Sequence, residues 1–244
     1  MNHFKVKNPR KDLSFEIAFT KAYRDAVKRY THPAQIELAC LRAQYPAILH
    51  PIQEEDLLAG RVEAGLVGLG IQGQTGGYGY YIDEPRVTEA LEFGEGNAKY
   101  REDLHDLLIF WKTNSSNNKV LRNTPDSIKH ILFSDNWKQT PLPASPIIRM
   151  AGAYLDFDKL IRLGLPGMRA EVTAYRERAE QEGGDAVLYQ CMDGSLELMG
   201  QVCLWYRDQA LELLAQAADE KRKGELRRMA QALESDEETI TRVL

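Results

Sequence analysis

Four groups of residues in this 244-residue chain have types and spacing that can do chemistry. Gly68-Leu69-Gly70-Ile71-Gln72-Gly73 matches the pattern G-x-G-x-x-G, in which a tight turn lets the amides of a helix N-terminus hold a pyrophosphate. That mechanism places the third glycine inside the start of a helix. Here Gln74-Thr75-Gly76-Gly77-Tyr78-Gly79 follows, so the segment reads as a glycine-rich loop and not as a nucleotide site. Glu102-Asp103-Leu104-His105 has the Glu-x-x-His spacing that puts two ligands on one helix face in di-iron bundles. Such a bundle needs the motif twice plus two further glutamates, and His130 has no Glu three residues before it. The stretch around His105 therefore reads as a solvated helix face, and no metal ligand is assigned. Cys191 is the obvious nucleophile by type, but Asp193 lies close by and would disfavour its thiolate. Cys203, between Val202 and Leu204, is similar; both read as core-packing thiols, and no catalytic residue is assigned. Arg149 remains. It ends a short apolar run just before Ala151-Gly152-Ala153, where a guanidinium can grip a substrate carboxylate or phosphate in a bidentate pair. The plainer alternative is an ion pair with an acidic surface residue. Arg149 is the one substrate-binding candidate.

The elements that would position these residues are mostly helical. Ser14 to Tyr30 carries Phe15, Ala18, Phe19, Ala22, Tyr23, Ala26 and Val27 at helical spacing, with Ser14 as the expected N-cap. Pro33 suits the first turn of a second helix that runs to about Leu49, with Ile36, Cys40, Ala43, Ala47 and Ile48 on its apolar face. Glu54 to Leu58 reads as a short helical turn. Gly65 to Gly79 holds seven of the eighteen glycines, a density that excludes a regular helix, and Tyr78 to Ile82 is expected to be extended. Helices follow over 84–93, 97–112 and 126–133. Three prolines in 139–146 demand an extended connection, and 147–150 can form a strand. Asp156 is placed to cap a helix to Leu163, Gly164 to end it in a left-handed conformation, and Pro166 to start the next, which runs to Gly183-Gly184. A long helix over 185–218 carries Leu188, Met192, Ser195, Met199, Val202, Tyr206, Leu213 and Ala217 near one face, and 221–234 gives a last helix. The tryptophans Trp111, Trp137 and Trp205 are expected to anchor helix packing.

The fold class is thus mostly α with few short strands, in one domain over 1–244 with a helical, glycine-rich part to 138 and a helical part from 147. Hydrophobic content of 43% and charged content of 27% are those of a globular protein, and the length can bury one sizeable core. A net charge of −5 argues against a general nucleic-acid surface. No apolar run reaches the ~18 residues of a membrane span, and the N-terminus lacks the apolar core of a secretory signal. Three cysteines at unrelated spacings favour reduced thiols, hence a cytoplasmic location.

Several segments resemble, in order, the N-terminal part of glycyl radical enzymes of the pyruvate formate-lyase-like family. Ile36 through Ala43, followed by Asp56-Leu57-Leu58-Ala59-Gly60-Arg61, is similar to that family's opening helix and its pdElivG turn. Phe110-Trp111-Lys112 resembles its tryptophan helix, 156–167 its DFxKxLxxGLxGL segment, and Lys223 through Ala230 its rkxELxxiA helix. The resemblance implies the outer helical layer of a ten-stranded α/β barrel. It also implies a lyase or transferase reaction on a small substrate under anaerobic conditions, and no metal or organic cofactor in the barrel. A glycyl radical would be installed by a separate radical S-adenosylmethionine activating enzyme and passed to a cysteine. In the family both radical residues lie well downstream of these segments. No segment of this sequence resembles the cysteine motif or an Arg-Val-x-Gly-Tyr-like radical loop, so the chain is expected to be a catalytically incomplete portion: a truncated gene, an excised domain, or one half of a split enzyme whose complementary C-terminal chain carries those residues. The family's substrate-touching His or Arg before the Asp-Phe pair falls at Gly152 or Ala153 here. A rival expectation is a self-sufficient helical interaction protein, in which the stripe from Asp185 onward is buried against a second copy in a homodimer.

Overall fold

The computed structural model describes residues 12–71, 78–93, 97–127 and 156–238. Its contacts divide the chain into two compact units that interleave in sequence, one drawn from Met1–Lys21 and Ala64–Tyr154, the other from Ala22–Glu63 and Leu155–Leu244. Helix α1 (Ser14–Arg29) begins in the first and ends in the second. The expected boundary between 138 and 147 lies outside the described residues, as do the extended connection and strand expected over 139–150 and most of the helix expected over 126–133.

In the first unit, β1 (Val67–Ile71) pairs antiparallel with β2 (Tyr78–Ile82), Val67 opposite Ile82 and Ile71 opposite Tyr78. This corrects the reading of 68–71 as loop: alternate glycines weaken a strand, but Val67 and Leu69 are both buried and hold it to the core. Helices α3 (Glu84–Phe93), α4 (Ala98–Asn114) and α5 (Ser116–Asn123) follow, α4 packing on α3, α5 and β2. Asn97 caps α4 by accepting from Tyr100 N at 2.9 Å. Trp111 is the hub of this unit. It is fully buried, stacks on Phe19 and Tyr80, takes Phe110 edge-on, and donates Nε1–H to Thr20 Oγ1 at 2.8 Å. Thr20 donates onward to Glu16 O at 2.7 Å. The buried Glu16 carboxyl accepts from Leu66 N at 2.7 Å, so the first turns of α1 are tied to the start of the hairpin. Gly65 allows that approach, since a Cβ there would strike the Phe15 ring and lie 2.9 Å from Glu16 Oε1. Ser14 is not the cap of α1: it lies within the first turn, and Asp12 accepts from its amide at 2.9 Å.

The second unit is helical: α2 (Pro33–Ile48), α6 (Phe157–Gln181), α7 (Val187–Gln216) and α8 (Glu220–Glu238). Helix α7 is central, packing on α2, α6 and α8. The buried residues of α2 are Cys40, Gln44 and Ile48, whereas the expected Ala47 is exposed. The described residues of 54–58 form a turn rather than a helix, with Asp56 N donating to Gln53 O at 3.2 Å. The stripe expected on α7 is also corrected. The buried row is Cys191, Gly194, Leu198, Tyr206 and Ala210, while Leu188, Met192 and Met199 stand 45%, 46% and 49% exposed. Over the N-terminal half the buried row is offset from the expected one by one residue, about 100°, because Gly194 faces α2: a Cβ there would lie 2.8 Å from Leu38 Cδ2 and 3.2 Å from Arg42 Nη2. In the C-terminal half the expected Tyr206 is buried, with Val202 and Leu213 packed against its cluster. No helix among the described residues is long and apolar enough to cross a membrane.

Candidate functional site

The second unit carries a closed loop and a kinked helix, each tied by side chains to other helices of the unit. After α2 the chain doubles back. Leu49 bridges Val62, His50 N donates to Arg61 O at 2.9 Å, and Glu63 N donates to Ile48 O at 2.9 Å. Gly60, at φ 107°, makes the turn that returns the chain, a conformation that residues bearing a Cβ rarely adopt. Inside the loop the Asp56 carboxylate accepts from Gln53 N at 2.8 Å and pairs with Arg61. Three side chains from α7 and α8 pin it. Arg222 donates to Asp56 O at 2.8 Å and Gln53 O at 3.0 Å. Tyr206 donates its hydroxyl to Arg61 O at 2.8 Å, and Gln209 accepts from Ile52 N at 3.2 Å. Burial pushes the Tyr206 phenol above its ordinary range. Ile52, Tyr206, Ala210, Met229 and Ala230 close the apolar side of the joint.

Helix α6 is kinked at Gly164, whose φ 58° and ψ −177° lie in a region essentially confined to glycine. Asp156 caps its first turn, accepting from Lys159 N at 2.9 Å, as the sequence leads one to expect. Lys159 reaches across the kink to Glu171 at 2.5 Å, and that bond raises the ammonium pKa. Arg169 grips the Asp193 carboxylate of α7 with two nitrogens, at 2.7 and 3.0 Å. The guanidinium holds the Asp193 carboxyl below the usual carboxylate range, and the carboxylate raises the Arg169 pKa in return. Arg42 of α2 meets Glu197 at 3.5 Å. Beside these pairs lies a cleft of about 300 Å³ lined by Leu165, Arg169, Glu197, Gly200, Cys203 and Leu233.

The residues singled out from the sequence do not converge. Arg149, Gly152, Ala153, His130 and Trp137 lie outside the described residues. Gly68 and Gly70 are in a β-strand, and among the described residues the next helix in the chain is α3, beyond β2. His105 is exposed on α4, and Glu102 makes an exposed ion pair with Lys99 at 3.7 Å. Among the described residues no cluster of His, Cys, Asp and Glu could hold a metal ion. Cys191 is buried against α2, and burial raises its thiol pKa, so it stays protonated. Trp205 is 40% exposed, packed edge-on against Tyr206. Sequence reasoning missed Arg222, Tyr206 and Gln209. For Arg222 there was a signal: Lys221-Arg222-Lys223 puts three cations in the first turn of α8, against the helix dipole, which marks a side chain held there for another contact.

A model of the pyruvate formate lyase-like family matches residues 21–239. The chain belongs to that family. No curated protein matches it closely enough to add a relative. Among solved structures, the B12-independent glycerol dehydratase of Clostridium butyricum, in its glycerol-bound form, matches over 91% of this chain at a TM-score of 0.64 and 14% identity. At that identity the match speaks to fold. This member of the pyruvate formate lyase-like family spans 28% of the length of the dehydratase chain. Its resembling segments acquire physical roles in the structure: Asp56 and Gly60 shape the loop, the buried Met229 and Ala230 pack with Ile52 of that loop, and Gly164 and Leu165 lie at the kink.

Proposed function

We propose that this chain is the N-terminal portion of a pyruvate formate-lyase-like glycyl radical enzyme that acts on a small substrate by radical chemistry, and that it is inactive alone. The observation that carries the reading is the family match over residues 21–239 in a chain spanning 28% of a glycyl radical enzyme of the same fold. No segment resembling the cysteine motif or the radical glycine loop occurs in these 244 residues. The described residues support a framework role, in which ion pairs are satisfied within the unit and loop 49–63 is tied down by α7 and α8. Arg149 remains the candidate for holding a substrate anion. The partners implied are a complementary C-terminal chain and a radical S-adenosylmethionine activating enzyme.

Electron paramagnetic resonance tests this. The purified chain, incubated anaerobically with an activating enzyme, reductant and S-adenosylmethionine, is expected to give no glycyl radical signal. A signal from the chain alone would refute its incompleteness.

A further inference from the structure

Three of the six methionines in the chain, Met168, Met192 and Met199, line one open groove of about 420 Å³ between α2, α6 and α7. Leu38, Leu41, Val172 and Leu188 complete its apolar walls. Its polar lining is sparse: the Ser195 hydroxyl is turned back on its own helix, donating to Cys191 O at 2.9 Å, and Glu37, the one charged side chain of the lining, has a partner of its own. The charges nearest by, Arg169 with Asp193 and Arg42 with Glu197, are already paired with each other. An ionic ligand finds no unsatisfied charge there. An apolar surface finds flexible, polarisable thioethers, which adapt to an inserted helix better than branched side chains do. The exposed row from Leu188 to Met199 is about 16 Å long, three helical turns.

We propose that this groove seats an amphipathic helix contributed by the remainder of the glycyl radical fold. The inference rests on the functional reading above and names the surface through which it works. The occupant follows from two observations. The chain covers 28% of the solved glycerol dehydratase chain, so most of a fold of that kind must find a seat on it. The surface is an open apolar groove lined from three helices, the shape that receives the apolar face of one amphipathic helix.

Methyl NMR of the chain labelled with 13C at methionine Cε tests the idea, with signals assigned by single Met→Leu substitutions. The probe is the part of the Clostridium butyricum dehydratase that this chain does not cover, expressed as a separate polypeptide. Its addition is expected to move the Met168, Met192 and Met199 methyls and leave Met229, which lines a different cleft beside Leu57 and Leu58. Met192→Glu and Leu188→Glu, both at half-exposed positions, are expected to weaken binding about tenfold or more, with circular dichroism unchanged. Leu58→Glu is expected to bind as the parent does. Binding without movement of the groove methyls, or insensitive to both groove variants, overturns this surface while leaving the completion reading intact. No binding to the parent chain removes the completion reading and this proposal with it. Groove methyls that move with the chain's own concentration, and cease to in Met192→Glu, assign the groove to a second copy instead.

Discussion

The hairpin unit and the helical unit use the same residue types to opposite ends. Around Trp111 the aromatic rings of Phe19, Tyr80 and Phe110 are gathered inward, and the indole N–H is satisfied by Thr20. On α7, Trp205, Leu188, Met192 and Met199 face out, while Gly194 and Ala210 are buried. The first is a closed core that uses its large side chains for its own stability. The second packs α7 through a mixed row, in which Gly194 and Ala210 stand beside Leu198 and Tyr206, and it leaves other large apolar residues of the same helix exposed. Apolar content alone therefore does not tell which large residues of a helix are buried.

The sharpest way to break this contrast is to remove each tryptophan. Trp111→Ala is expected to cost about 3–5 kcal/mol, since it empties a closed core and strips Thr20 of a partner. Trp205→Ala should cost about 1 kcal/mol or less, as expected for a part-exposed side chain. Hydrogen exchange followed separately in each unit measures both; equal losses would erase the distinction. Two glycines of α7 sharpen it. Gly194→Val should destabilise by about 1–3 kcal/mol, because its Cβ meets Leu38 at 2.8 Å and α2 must move. At Gly200 a Cβ meets only Leu165 Cδ1, at 3.9 Å, so Gly200→Ala should stabilise by about 0.5–1 kcal/mol through helix propensity. Denaturant midpoints of the two variants decide whether the buried row, rather than α7 as a whole, carries the packing.

The smallest effect is electrostatic. The Arg169 guanidinium lowers the Asp193 carboxyl pKa, so the pair's stabilisation is complete above the unfolded value of about 3.9 and fades as pH falls through the lower folded value. Both side chains are partly exposed, which limits the contribution to about 1 kcal/mol or less. The difference in stability between parent and Asp193→Asn should be constant from about pH 5 to 8 and shrink below about pH 4. A difference that grows in acid would contradict the assigned sign.

Much of the fold was legible because local signals act locally. The bounds of α3, the cap at Asp156 and the break at Gly164 follow from neighbours within a turn. Errors came where a distant segment decided. Val67–Ile71 reads as loop because alternate glycines mask the period-two signal, and only its place beside β2 and the core makes it a strand. The face of α7 was misjudged because hydropathy weights Met192 and Met199 and gives Gly194 none. The candidate site fared least well: Arg149 lies outside the described residues, and the hold of Arg222 on Gln53 and Asp56 spans some 170 positions.

By itself the sequence determined the helical class, most helix ends and the family, since caps, glycine breaks and ordered segments are properties of short stretches of chain. Tertiary structure alone decided which faces are buried, which loop is held, and which methionines share a groove. Those outcomes depend on contacts between segments far apart in the chain, Gly194 against Leu38 and Arg222 against Gln53 among them.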